Sequence, residues 1–179
     1  METAIRQSGN IVKISIIGPE STGKSTLAEQ LATHFETAWV REFAREYLEK
    51  RNGEYVEADL LAIAKGQVAA ENKFENHTTN MIVCDTDLIT IKIWSDYKYG
   101  RCDPWIISQI QNRKYHLHLL CFPGIPWEAD PLRENPDNRE HLYHLYKNEL
   151  MVNEFPFVEI KGEKTMRLQT AIAAIGKIF

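Results

Sequence analysis

Gly18-Pro19-Glu20-Ser21-Thr22-Gly23-Lys24-Ser25 follows directly on the apolar, β-branched run Ile11-Val12-Lys13-Ile14-Ser15-Ile16-Ile17 in a chain of 179 residues. The octapeptide fits the phosphate-binding pattern GxxxxGK[ST] without a mismatch. With Gly at about 7%, Lys at about 6% and Ser plus Thr at about 12%, fewer than about 1% of chains this long contain it by chance. Its flanks agree with it. The run before it reads as a strand, and Leu27, Leu31 and Phe35 recur at four-residue spacing after it, with Ala28 and Ala32 permitting close approach to a sheet. A strand, a glycine loop and a helix in that order aim backbone N–H groups and a helix N-terminus at phosphate oxygens. Gly18 and Gly23 allow tight turning, Lys24 supplies a mobile charge for the β and γ phosphates, and Ser25 offers a hydroxyl to Mg2+. Glu20, Ser21, Thr22 and Thr26 complete the expected ATP-binding segment.

Working outward, short apolar runs alternate with segments of helical period. Thr37 to Val40 reads as a second strand, Met81-Ile82-Val83-Cys84 as a third, Tyr115 to Phe122 as a fourth and Phe155 to Ile160 as a fifth. Between them, helices are expected over Arg41 to Arg51, Glu57 to about Asn76, Ile89 to Tyr97 and Pro104 to Asn112. Two more begin at Asp137 and follow strand five. Leu61, Ala64 and Val68 should face inward on the third helix, and Leu168, Ile172, Ile175 and Phe179 on the last. Such alternation predicts an α/β chain with the P-loop NTPase fold: a five-stranded, mostly parallel sheet with helices on both faces. Four prolines between Pro123 and Pro136 forbid regular structure there and mark a lid loop at about 123–139.

Ligands of such sheets sit at the carboxyl ends of the strands, where the remaining polar segments fall. Asp85 ends the third strand and is the candidate partner of Ser25 around Mg2+. Asp87 leans the same way if strand geometry persists past Asp85; the competing use of both acids is N-capping the next helix. Thr86 stands where motor-type ATPases carry a second acid, and no NKxD or DxxG pattern of a GTPase is present. Phosphoryl transfer to a bound small molecule is therefore the leading reaction class, and it needs a lid that excludes water and brings cations. Arg133 and Arg139 lie in or just after the lid. Arg41-Glu42-Phe43-Ala44-Arg45-Glu46 follows strand two, so Glu42 could accept a proton from a substrate hydroxyl and Arg45 could orient the substrate. Asp87 is the other candidate base, and the residues do not choose between them. Trp127, with Trp94, Trp105, Tyr55 and Tyr97, could stack on a flat ring. His116 and His118 alternate along a strand and need no metal.

Composition narrows the class. Length over ~150 residues per domain gives about 1.2, so one domain spanning 1–179 is expected. At 44% hydrophobic and 26% charged residues, with a net charge of −4, the chain is an ordinary globular protein and a poor generic binder of nucleic acid. Cys84, Cys102 and Cys121 form no CxxC pair, and neither a signal-peptide core nor a membrane-length apolar run occurs; a reduced, cytoplasmic protein is expected.

These residues carry a resemblance. Gly18 to Ser25 with its Glu-Ser pair, Trp39 to Tyr47 with Ala44-Arg45-Glu46, Asp85-Thr86-Asp87-Leu88-Ile89-Thr90, and Trp127 with Asp130, Leu132 and Arg133 are similar to the ribosylnicotinamide kinase domain of NadR-like P-loop proteins. The resemblance implies transfer of phosphate from ATP, with Mg2+, to the 5′-hydroxyl of nicotinamide riboside. It implies Lys24, Asp87 or Glu42, and Arg133 as catalytic residues, Arg45, Asp87 and Trp127 on the nucleoside-like substrate, Arg139 beside the nucleotide, and Ser25 with Asp85 on the metal. The family's adenylyltransferase and DNA-binding segments have no room here, so neither of their functions is implied. The proline-rich lid departs from the family pattern and leaves the alignment of Arg139 open.

Overall fold

The computed structural model describes residues 11–76 and 80–179; the expectation drawn from Met1 to Asn10 lies outside them. Five strands form one sheet: β1 (Val12–Ile17), β2 (Ala38–Val40), β3 (Met81–Asp85), β4 (Leu117–Cys121) and β5 (Phe157–Ile160). Their spatial order is β2-β3-β1-β4-β5 and each neighbouring pair is parallel. That order puts β1 at the centre, and its six residues are all buried.

Alternation along β1 sorts the core into two layers. Ile14 and Ile16 pack with Leu27 and Leu31 of α1 (Lys24–His34) and Ala171 and Ile175 of α7 (Lys164–Ile175). Ile17 packs on the other face against a larger cluster. That cluster draws on α2 (Phe43–Glu49), α3 (Glu57–Glu75), α4 (Leu88–Tyr99), α5 (Pro104–Asn112) and α6 (Arg139–Val152). No helix among the described residues is long and apolar enough to cross a membrane.

Two expected faces shift. On α3 the buried row is Leu60, Ile63, Ala64, Gln67 and Glu71, with Leu61 and Val68 at its margin. Gln67 is held inward through one end of its amide: Oε1 accepts the Phe43 N–H at 2.9 Å while the buried Nε2 has no partner among the described residues, and Gly66 lets the Phe43 ring lie against the helix backbone. On α7 the inward positions are Arg167, Ala171 and Ile175, while Phe179 lies beyond the helix and is 72% exposed.

Glu71 is fully buried, and three groups donate to it: Lys13 Nζ at 3.2 Å, Arg113 Nη2 at 2.9 Å and Tyr115 Oη at 2.8 Å. Lys13 also pairs with Glu75 at 2.7 Å, so the cluster ties α3 to the amino ends of β1 and β4. Removing the shared acceptor leaves Lys13 and Arg113 with only the partly exposed Glu75 as counter-charge and the Tyr115 hydroxyl without its acceptor. Glu71→Ala should therefore lower stability by about 3–5 kcal/mol in urea unfolding. A loss below about 1 kcal/mol would show that water replaces the carboxylate freely.

Candidate nucleotide and acceptor site

The loop between β1 and α1 is shaped by three residues with positive φ. Gly18 has φ 140, and a Cβ there would lie 2.7 Å from the carbonyl oxygen of Cys121, so a glycine lets the loop pass the end of β4. Ser21 has φ 54 and Gly23 has φ 73, the latter opening α1 directly at Lys24. Inside the turn the Pro19 carbonyl accepts from Thr22 Oγ1 and from Lys24 Nζ, both at 2.8 Å, which curls the ammonium into the loop's concavity. Arg167 clamps the outside, donating to the carbonyls of Thr22 and Phe122 from a position 4% exposed. Sequence reading missed Arg167, and its only signal there was an arginine beside the apolar stripe of α7.

A cavity of about 300 Å3 opens above the loop. Gly18 to Thr26 form its floor, Lys164 and Arg167 one flank, and Arg133 to Asn135 of the lid its cover. The far half is walled by Glu42, Ala44 and Arg45, by Tyr55, by Thr90, Ile93, Trp94 and Tyr97 of α4, and by Leu142 and Tyr146 of α6. Tyr55 and Trp94 meet edge to face at 4.7 Å, and Trp94 Nε1 donates to the Tyr55 hydroxyl at 2.9 Å. Arg45 reaches across to Asp130 of the lid at 3.0 Å.

Three carboxylates at the strand ends behave differently. Asp85 is 2% exposed, and burial pushes its carboxyl above the usual range, against the Ser25 hydrogen bond and the Lys24 charge. Its Oδ1 has no partner although it is buried, an arrangement a cation beside the Ser25 hydroxyl would satisfy. Among the described residues no cluster of three or more His, Cys, Asp or Glu could hold a metal. Mg2+, however, keeps waters and phosphate oxygens as ligands and needs few protein groups, so Ser25 and Asp85 fit it. Glu42 precedes α2 and lines the cavity. Burial raises its pKa, Lys24 opposes this, and the charge of Asp85 adds to the rise.

Asp87 corrects the sequence reading. Strand geometry stops at Asp85, and Thr86 takes φ 78, so Asp87 turns away from the cavity. It becomes the N-cap of α4, its Oδ1 accepting the Ile89 N–H at 2.8 Å. Its Oδ2 accepts from Ser15 Oγ at 2.7 Å and stands 3.3 Å from His118 Nε2. It is 1% exposed and absent from this cavity's lining, and it lines a second cavity of about 290 Å3 with Tyr115, His118 and Phe155. Of the two candidate bases, Glu42 is the one that lines the cavity with Lys24.

The lid needs two further corrections. Trp127 is absent from the cavity wall; its ring lies between the guanidinium groups of Arg133 and Arg139, at 5.9 and 5.7 Å. Arg139 is also spent on structure, donating to the carbonyls of Ser21 and Ile125, each at 3.0 Å. Trp127 thus packs within the lid, and Arg139 ties the lid to the phosphate loop at Ser21. Arg133 does line the cavity, with Nη1 3.4 Å from Ser21 Oγ and bonded to the Glu128 carbonyl.

A parallel sheet with β1 central, a glycine-gated loop entering α1, and an inward lysine beside a Ser–Asp pair define a P-loop nucleotide-binding protein. A family model described as an AAA domain matches residues 13–167, and the chain belongs to that family. It is 29% identical over 157 residues to the trifunctional NAD biosynthesis/regulator protein NadR of Salmonella typhimurium, covering 83% of this chain and 38% of that protein. It therefore spans about two fifths of that relative's length. A crystal structure of NadR in complex with NR superposes with a TM-score of 0.79 at 22% identity, over 93% of this chain and 51% of the other. A second, of NadR with NAD and AMP-PNP, gives 0.80 at 23% identity, over 93% and 49%. At these identities the two structures establish the shared fold.

Proposed function

We propose that the chain is an ATP-dependent kinase that phosphorylates the 5′-hydroxyl of nicotinamide riboside. The observation that carries this is the presence of Glu42 in one cavity with Lys24, between a phosphate loop and a pocket of Tyr55, Trp94 and Tyr97. The similarity to NadR, known in complex with NR, supports the choice of acceptor.

ATP lies with its phosphates on the loop, where the backbone N–H groups and Lys24 hold the β and γ oxygens. Mg2+ held by Ser25 and Asp85 would neutralise part of the phosphate charge. Glu42 takes the proton of the acceptor hydroxyl as its oxygen bonds to the γ-phosphorus, while the bond from that phosphorus to the β,γ-bridging oxygen breaks and ADP leaves. Arg133, carried on the lid, faces the charge that develops on the transferring group. Arg45, the cation lining the acceptor half, is already paired with Asp130. That pairing suits an acceptor without a phosphate of its own. The faces of Trp94 and Tyr97 and the carboxylate of Glu42 suit a ring that carries positive charge, whereas Tyr55 and Glu134 are already engaged by Lys98.

A coupled ATP-consumption assay separates the possibilities. Nicotinamide riboside should exceed adenosine, cytidine and thymidine in kcat/KM by about thirtyfold, the equivalent of one desolvated cation–π contact of about 2 kcal/mol. Preference for a neutral nucleoside or for a nucleoside monophosphate would overturn the acceptor assignment.

A further inference from the structure

The phosphate loop contains an acid, Glu20, whose charge opposes the ligand the loop is built to hold. Its carboxylate lines the cavity, and its charge is felt at Glu42. Yet its oxygens point at the lid backbone. The Glu134 N–H lies 3.1 Å from both oxygens, and the Asn135 N–H donates to Oε2 at 2.9 Å. At the lid's other end, Ser21 Oγ accepts the Glu128 N–H at 2.8 Å. Arg133, the lid's cavity-facing cation, lies between these two attachments and one residue before Glu134.

We infer that Glu20 is a positioning residue that docks the lid on the phosphate loop and makes nucleotide binding and lid closure cooperative. The inference rests on the kinase reading for its effect on turnover, but the docking itself does not. The physical argument is electrostatic. An unpaired carboxylate beside three phosphates is repelled at short range, whereas one receiving two backbone N–H bonds has its charge turned toward the lid. Phosphates on the loop therefore favour the state in which the lid amides are in place, and by linkage a docked lid favours nucleotide. The same docking sets the register of residues 128–135, and with it the place of Arg133 over the loop. A residue contacting phosphate directly would lack this geometry, since its oxygens could not serve both sides.

The test follows amide hydrogen exchange at Glu134 and Asn135, with and without AMP-PNP, in the wild type, Glu20→Gln and Glu20→Ala. In the wild type AMP-PNP should slow exchange at both amides. In Glu20→Ala exchange should be about ten- to hundredfold faster and insensitive to AMP-PNP, with Glu20→Gln between, because one acceptor oxygen remains. With nicotinamide riboside as acceptor, kcat should fall in the same order, while the AMP-PNP dissociation constant stays within about threefold of wild type. Unchanged exchange in Glu20→Ala, or nucleotide affinity falling in step with kcat, would overturn the docking role. If the wild type transfers phosphate to no acceptor, the kinase reading fails on its own, and the exchange data still decide the role of Glu20.

Discussion

Lys24→Ala is expected to lower ATP turnover by about 10²–10³-fold while the protein melts within a few degrees of wild type. The expectation comes from where the lysine is held. Gly23 opens α1 so that Lys24 is its first residue, and the Pro19 carbonyl draws its ammonium over the loop. The charge is thus in place before any ligand arrives, and no reorganisation is needed when charge builds on the transferring phosphoryl group. Core contacts of α1 come from Leu27, Ala28, Leu31 and Ala32, on which the substitution does not act. Steady-state kinetics beside a thermal melt make the comparison. Turnover within tenfold of wild type, in a folded variant, would remove the loop from the mechanism.

Glu42→Gln should act on chemistry alone, reducing kcat by about 10²–10⁴-fold with ATP affinity retained. The carboxylate must be ionised to accept a proton, and burial holds its pKa above the usual 4.5. Wild-type rate should therefore rise with pH through that raised value, and the acidic limb should disappear in the amide variant. Stability moves the opposite way. An acid whose folded pKa is raised contributes stability that is full below its unfolded pKa and lost as pH rises through the folded one. Above that raised pKa the ionised Glu42 is thus a burden on the unliganded fold. Glu42→Gln should melt higher than wild type above that raised pKa, and the gap should close as pH falls below it. A variant that is both slower and less stable across the whole pH range would mean that Glu42 is structural.

Much of this was legible along the chain because the signals are local. A β-branched run, a glycine-rich octapeptide and apolar residues at four-residue spacing lie within 25 residues of one another, and each acts through its own backbone. Strands and helices were placed to within a few residues for the same reason. Asp85 was legible too, since the end of an apolar strand fixes its position at the carboxyl edge of the sheet. Phe179 was not, because a periodic row does not reveal where the helix stops; α7 ends at Ile175.

The lid shows the other limit. Pro123 to Pro136 marked an irregular segment, but nothing in its composition says which of its side chains turn inward. Trp127 and Arg139 looked like ligand groups because aromatic and cationic residues often are. Their partners are each other and the carbonyls of Ser21 and Ile125, contacts made across more than a hundred residues of chain in the Ser21 case.

The octapeptide and the alternating periods thus determined, unaided, that this chain has a parallel sheet and a phosphate loop at the end of its first strand. Tertiary structure decided which of the two candidate bases lines the cavity with Lys24. One backbone angle, the positive φ of Thr86, turned Asp87 away to cap α4 beneath the sheet, and the path from β2 into α2 brought Glu42 in. Strand and loop propensities act over a few residues, whereas the direction of a side chain past a turn depends on whatever packs against it.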